Sequence, residues 1–187
     1  MIKLIIPQRV WQKLKYYQEA TTDEISGLGK IRHKGNRIIV EEVYLLPQEN
    51  SAAHTTILED GLSRFMEKHL EEMNELKLWW HSHQTIGCDF SMTDDLTSAQ
   101  LSEADWYVSL LIHQDKKPQA RLNMLKPFKV EKALEVKILT LPDIELKQKC
   151  FREVKKKVKQ FKWYQGFLKN RKEKDDEFFK TDRYYPS

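Results

Sequence analysis

Apolar residues along this chain fall into two periodicities, and the breaks between them coincide with Pro, Gly and Asn. Ile2–Ile6 is a short apolar run closed by Pro7, which predicts an opening strand. Val10, Leu14 and Tyr17 recur at helical spacing and predict a helix over Arg9–Glu19. Residues 24–33 and 37–46 are rich in Ile, Val and Leu and flank Lys34-Gly35-Asn36, a hairpin signal. Apolar positions 58, 62, 65, 66, 69/70 and 73 predict one long amphipathic helix over Ile57–Leu76. Leu76–His83 reads as the next strand. Thr93–Ala104 reads as a helix, with Ser91 or Thr93 near its N-cap and Asp94 and Asp95 in its first turn. Trp106–His113 and Gln119–Leu125 predict a second hairpin around Asp115-Lys116-Lys117-Pro118, and Val130–Thr140 a last strand. Helices interspersed with hairpin-joined strands predict an α+β (α/β) fold, a mixed sheet with helices packed on it.

Composition narrows the class. The 187 residues suit one domain of ordinary size with an appendage. Hydrophobic residues make up 40%, including 5 Trp, 7 Tyr and 8 Phe, enough for a real core. No run approaches the length of a membrane span, the N-terminus carries no cleavable signal pattern, and two cysteines cannot build a disulfide framework. A cytoplasmic protein is the expectation. The net charge of +4 is unevenly spread: residues 147–174 hold 12 Lys/Arg against 2 Asp/Glu, so a mildly acidic body carries a basic C-terminal segment. The boundary is placed at Leu141-Pro142-Asp143, dividing a domain over 1–141 from a basic helical extension over 142–187.

The chemistry concentrates in residues 79–94. His81 and His83 stand at i and i+2 at the end of a predicted strand, where alternate side chains share a face. Two imidazoles so placed can hold one metal ion, and a third ligand would leave a position open for water. Asp94, in the first turn of the following helix, can supply that carboxylate. Imidazole and carboxylate suit Zn²⁺ without excluding another divalent ion. Hydrolysis there would also need a base, and Glu24 is the candidate. It opens the segment Ile25-Ser26-Gly27-Leu28-Gly29, whose glycines allow close backbone approach. Asp23 and Glu19 are the competing carboxylates nearby.

His81-Ser82-His83, then seven residues, Ser91, two residues and Asp94 resemble the H-x-H-x7-S-x-x-D signature of the JAMM (JAB/MPN) zinc metallopeptidases. Glu24 and its glycines are similar to that family's upstream glutamate. The resemblance spans about residues 1–140 in element order and is specific only at the motifs. It implies a JAB/MPN fold over 1–141, a mixed, curved sheet like that of cytidine deaminase. It implies one Zn²⁺ per chain on His81, His83 and Asp94, with Glu24 as general acid/base and Ser91 steadying the oxyanion. It implies hydrolysis of a peptide or isopeptide bond in a protein substrate, at the tail of a ubiquitin-like protein. Two features depart from the family. Gln84 stands where many members have Pro, and the insertions of the eukaryotic deubiquitinases are not recognisable. The segment 87–95 looks more like prokaryotic and phage-type members. The H-x-E and P-C-x-x-C pattern of the zinc deaminases is absent.

The remaining residues read more simply. Cys88 is expected to be a small buried thiol, and Trp79, Trp80, Trp106 and Tyr107 to pack in the core. His33, His54, His69 and His113 have no ligand-like spacing and are expected to be ordinary. Val154, Val158, Phe161 and Gln165 form one stripe of a basic amphipathic helix within 147–174. That helix is open to an acidic partner, nucleic acid, a membrane surface, or packing on the body with a solvated lysine face. The alternative to an enzyme is a non-catalytic MPN-type scaffold or binding module carrying this basic arm.

Overall fold

The computed structural model describes residues 2–51, 54–84, 89–90, 105–138 and 144–160. Strand β1 (Lys3–Ile6) ends at Pro7, whose fixed φ, here −59°, leads into helix α1 (Gln8–Glu19). The hairpin of β2 (Ser26–Lys34) and β3 (Arg37–Leu45) turns at Gly35, whose φ of 60° is the left-handed conformation that favours glycine. There follow β4 (Gln48–Ser51), β5 (His54–Ile57), α2 (Glu59–Lys68) and β6 (Leu78–His83). Strands β7 (Trp106–His113), β8 (Gln119–Met124) and β9 (Val130–Ile138) precede α3 (Ile144–Lys157) and β10 (Val158–Gln160). The expected mixed α+β architecture is present, with three α-helices among the described residues.

Seven strands form a barrel-like sheet in the order β1-β3-β2-β6-β7-β8-β9, closed because β1 pairs in parallel with both β3 and β9. Strands β6 and β7 are also parallel, and their long connection permits it. The sheet separates two apolar clusters. Leu78 and Trp80 of β6 and Val108, Leu110 and Ile112 of β7 enter the main core, where Trp80 stacks on Tyr17 of α1 at 6.0 Å. On the other face Trp79, Leu28 and Leu46 lie under Leu62, Phe65 and Met66 of α2.

Three elements differ from expectation. The long helix over Ile57–Leu76 is shorter: Ile57 belongs to β5, and α2 stops before His69, which stacks on Phe65 at 4.3 Å and reaches Glu72 at 3.1 Å. A short 3₁₀ turn, Leu70–Glu72, follows. The β4–β5 hairpin was not expected, because Gln48-Glu49-Asn50-Ser51 has no apolar alternation. The basic helix ends at Lys157. Val158, expected on its apolar stripe, instead starts β10 opposite Gln48 of β4. Residues 144–160 are docked on the body. Tyr17 donates to Glu153 at 2.5 Å, Lys157 to the Leu45 carbonyl at 2.9 Å, and Lys147 pairs with Glu19 at 2.7 Å. Among the described residues no helix is long and apolar enough to cross a membrane.

Candidate functional site

Strand β6 is buried along its whole length, and its pleat sorts its side chains. Residues 78 and 80 enter the main core, so 79, 81 and 83 face the other way. His81 and His83 are 1% and 7% exposed, and their Nε2 atoms lie 3.2 Å apart. Trp79 stacks on His81 with ring centroids 4.3 Å apart and planes 21° from parallel, fixing that imidazole from one side. This is the juxtaposition the i, i+2 spacing predicts.

Glu24 comes to the same face by register. In the antiparallel β2–β6 pair Ser26 opposes His81, and the Ser82 N–H donates to the Ile25 carbonyl at 2.8 Å. Continued, that register sets Glu24 opposite His83 and on its side of the sheet. Ser82 points the other way, as expected, and its Oγ accepts the Ile25 N–H at 3.0 Å, completing the ladder beside Glu24. The competing carboxylates are elsewhere. Glu19 is paired with Lys147, and Asp23 lines a cleft with Phe151 and Arg152 of α3, where burial raises its carboxyl above the ordinary range.

Side-chain amides hold this segment. Gln48 binds Ser26 as a strand would, its Oε1 accepting the Ser26 N–H and its Nε2 donating to the Ser26 carbonyl, both at 2.9 Å. Asn50 Nδ2 donates to the Glu24 carbonyl, and the Glu24 N–H donates to Ser51 at 3.0 Å. Gln84 reaches back to the carbonyls of Thr21 and Asp23, each at 3.1 Å, and Gln18 Nε2 reaches the His83 carbonyl at 3.4 Å. The residue that departs from the family pattern thus ties the end of β6 to the loop that delivers Glu24.

His113, expected to be ordinary, is the residue sequence reasoning missed. It opposes His83 in the parallel β6–β7 pair, is 5% exposed, and packs edge-on at 5.7 Å between ring centroids. A signal existed. Two predicted strands joined through a predicted helix imply parallel pairing, and both end in His. Phe90 lies 5.8 Å from His81 between ring centroids, beneath the Arg121 guanidinium at 4.1 Å, and Gln119 holds Asp89 at 3.0 Å. The chain therefore returns to the histidine face one residue before Ser91 in the sequence. Ser91 and Asp94, the expected oxyanion donor and third ligand, lie outside the described residues, as do Cys88 and the helix expected over Thr93–Ala104.

The histidine pair fits a zinc ion in one testable respect. Two nitrogens at about 2.0–2.1 Å from a tetrahedral Zn²⁺ are about 3.3 Å apart, and the observed separation is 3.2 Å. Among the described residues no group of three His, Cys, Asp or Glu could hold a metal ion, so a full ligand set would need a residue outside them.

No family model matches the chain. No curated protein matches it either. Its fold is similar to the solution structure of protein DSY2949 from Desulfitobacterium hafniense, with a TM-score of 0.50 at 18% identity over 76% of this chain and 97% of that one. At that identity the likeness concerns the fold alone.

Proposed function

We propose that the chain is a zinc-dependent metallopeptidase or isopeptidase of JAMM type, with a JAB/MPN fold over 1–141, acting on the tail of a ubiquitin-like protein. The observation that carries the reading is the pair of buried imidazoles with Nε2 atoms 3.2 Å apart, on the sheet face to which register brings Glu24. The sequence motif and the return of the chain at Phe90 support it.

His81, His83 and Asp94 would hold the metal. When bound, zinc supplies Lewis acidity, which acidifies water and polarises a scissile carbonyl. The protein's own groups do the rest. The Glu24 carboxylate takes the proton of the attacking water and returns it to the leaving amine. The Ser91 hydroxyl donates to the oxyanion. Trp79, stacked on His81, keeps that imidazole from turning away.

The test pairs metal analysis with turnover. Protein purified without chelator should carry about one zinc per chain, and His83→Ala should lose it. Glu24→Gln should keep the zinc and lose cleavage of a panel of ubiquitin-like C-terminal fusions. Normal cleavage by Glu24→Gln removes that residue from its role. A 3.2 Å separation also suits a hydrogen bond between two imidazoles, which favours the scaffold as the second reading. A chain that takes up no zinc decides for it.

A further inference from the structure

Helices α1 and α3 pack side by side and leave between them a groove of about 740 Å³ against Glu41 and Glu42 of β3. Its floor is apolar, made by Pro7, Val10 and Leu146. Its walls hold charges of both signs, and the pairing among them is one-sided. Each carboxylate already has a cation: Glu41 has Arg32 at 2.7 Å, Glu42 has Lys13 at 2.9 Å, and Glu153 has Lys157 at 2.7 Å. Glu42 also accepts the Val43 N–H, and Glu153 accepts the Tyr17 hydroxyl. The cations are in excess. Arg9, Lys149, Arg152 and Lys156 are exposed, and none pairs with a carboxylate among the described residues. Lys149, Arg152 and Lys156 share one face of α3, and Arg9 faces them from the first turn of α1, which holds no acidic residue. The positive end of the α1 dipole adds to the same field.

We propose that this groove docks an acidic, partly apolar peptide segment of a protein partner. An apolar floor beneath four uncompensated cations matches a segment that alternates carboxylate and aliphatic side chains. A phosphodiester strand would match the cations and leave the floor unused. The surface is separate from the histidine face. Gln18, which touches the His83 carbonyl, lies eight residues along α1 from Val10, about 12 Å at helical rise. It therefore functions as a docking site whether or not the histidine face turns over substrate.

The experiment uses the full chain and fluorescence anisotropy. The probes are a short labelled peptide alternating Glu and Leu, its Gln/Leu counterpart, and a single-stranded oligonucleotide. The Glu/Leu peptide should bind, more weakly as salt rises. The triple variant Arg9→Glu, Lys149→Glu, Arg152→Glu should lose at least about tenfold in affinity. The milder pair Lys149→Gln, Arg152→Gln should lose less, in the same direction. Reversing the downstream cations Lys169, Arg171 and Lys172 should leave peptide binding within about twofold. Circular dichroism checks that the variants fold. Four results would overturn the proposal: no binding of the Glu/Leu peptide, equal binding of the Gln/Leu peptide, equal loss on reversing the downstream cations, or groove-dependent binding of the oligonucleotide alone.

Discussion

Replacing Gly27 by Ala tests the packing that places the site. A Cβ built on Gly27 would sit 2.0 Å from the Tyr44 carbonyl oxygen and 2.9 Å from Trp80 Nε1. Carbon and oxygen approach no closer than about 3.3 Å in ordinary contacts, so β2 and β3 would have to separate by over 1 Å. Ladder bonds near 2.9 Å would stretch to about 4 Å, beyond hydrogen-bonding range. Losing about two of them at roughly 1 kcal/mol each, with an overpacking strain of about 1–3 kcal/mol, gives about 3–5 kcal/mol. That is a large part of the 5–15 kcal/mol typical of a domain. Urea unfolding followed by tryptophan fluorescence should show the midpoint falling by roughly 2 M, for an m-value near 2 kcal/mol/M. Gly35→Ala is the control. Nothing lies within 4 Å of its Cβ, so only its left-handed φ opposes the change, at about 1–2 kcal/mol. A Gly27→Ala protein within 1 kcal/mol of wild type, or less damaged than Gly35→Ala, would mean that the close approach of β2 and β3 at Gly27 does not limit stability.

Gln84→Ala removes the amide that reaches the Thr21 and Asp23 carbonyls. It should lower stability by about 1–2 kcal/mol, read as a fall of about 2–4 °C in Tm per kcal/mol. Cys150 is 1% exposed, and burial pushes its thiol up to about 12. Site-resolved mass spectrometry after iodoacetamide at neutral pH should find it unmodified in the native protein and modified after denaturation. The third case is pH-dependent. Burial alone would raise Glu153, but Lys157, Tyr17 and Lys13 together hold its carboxyl below the ordinary value. A depressed carboxylate contributes stability that is fully present above its unfolded pKa, about 4.3, and lost as pH falls through the folded value. Glu153→Gln should therefore flatten the acid side of the stability curve below about pH 4.3 and lower stability at neutral pH, measured by thermal melts across the range.

The sequence made the barrel strands legible because their pattern follows burial. Strands β3, β6, β7 and β8 each send alternate apolar residues into the main core, so period and partner agree. The histidine pair was legible for the same reason, since strand spacing alone puts His81 and His83 on one face. What failed to show obeys no period. The β4–β5 hairpin is polar, and its role is to bring Gln48 and Asn50 to the backbone of Glu24 and Ser26. The early end of α2 comes at His69, whose ring packs on Tyr44 of β3 at 4.9 Å, a tertiary contact that no helical period encodes. The end of α3 at Lys157 follows from an open edge of β4 that Val158 can join, and a helical stripe contains no information about that edge.

Amide and backbone hydrogen bonds hold the elements around the histidines in register. Gln48 and Asn50 fix β2 from the small sheet, Ser82 completes the β2–β6 ladder, and Gln84 and Gln18 exchange contacts between the end of β6 and the end of α1. Neutral amides satisfy buried backbone groups without adding a formal charge of their own. The polar contacts of the α3 interface, the Glu19–Lys147 ion pair and the Tyr17 hydroxyl donating to Glu153, fasten that helix to α1. Among the described residues the buried polar groups are accordingly mostly amides, hydroxyls and imidazoles, in a chain of which 32% is charged.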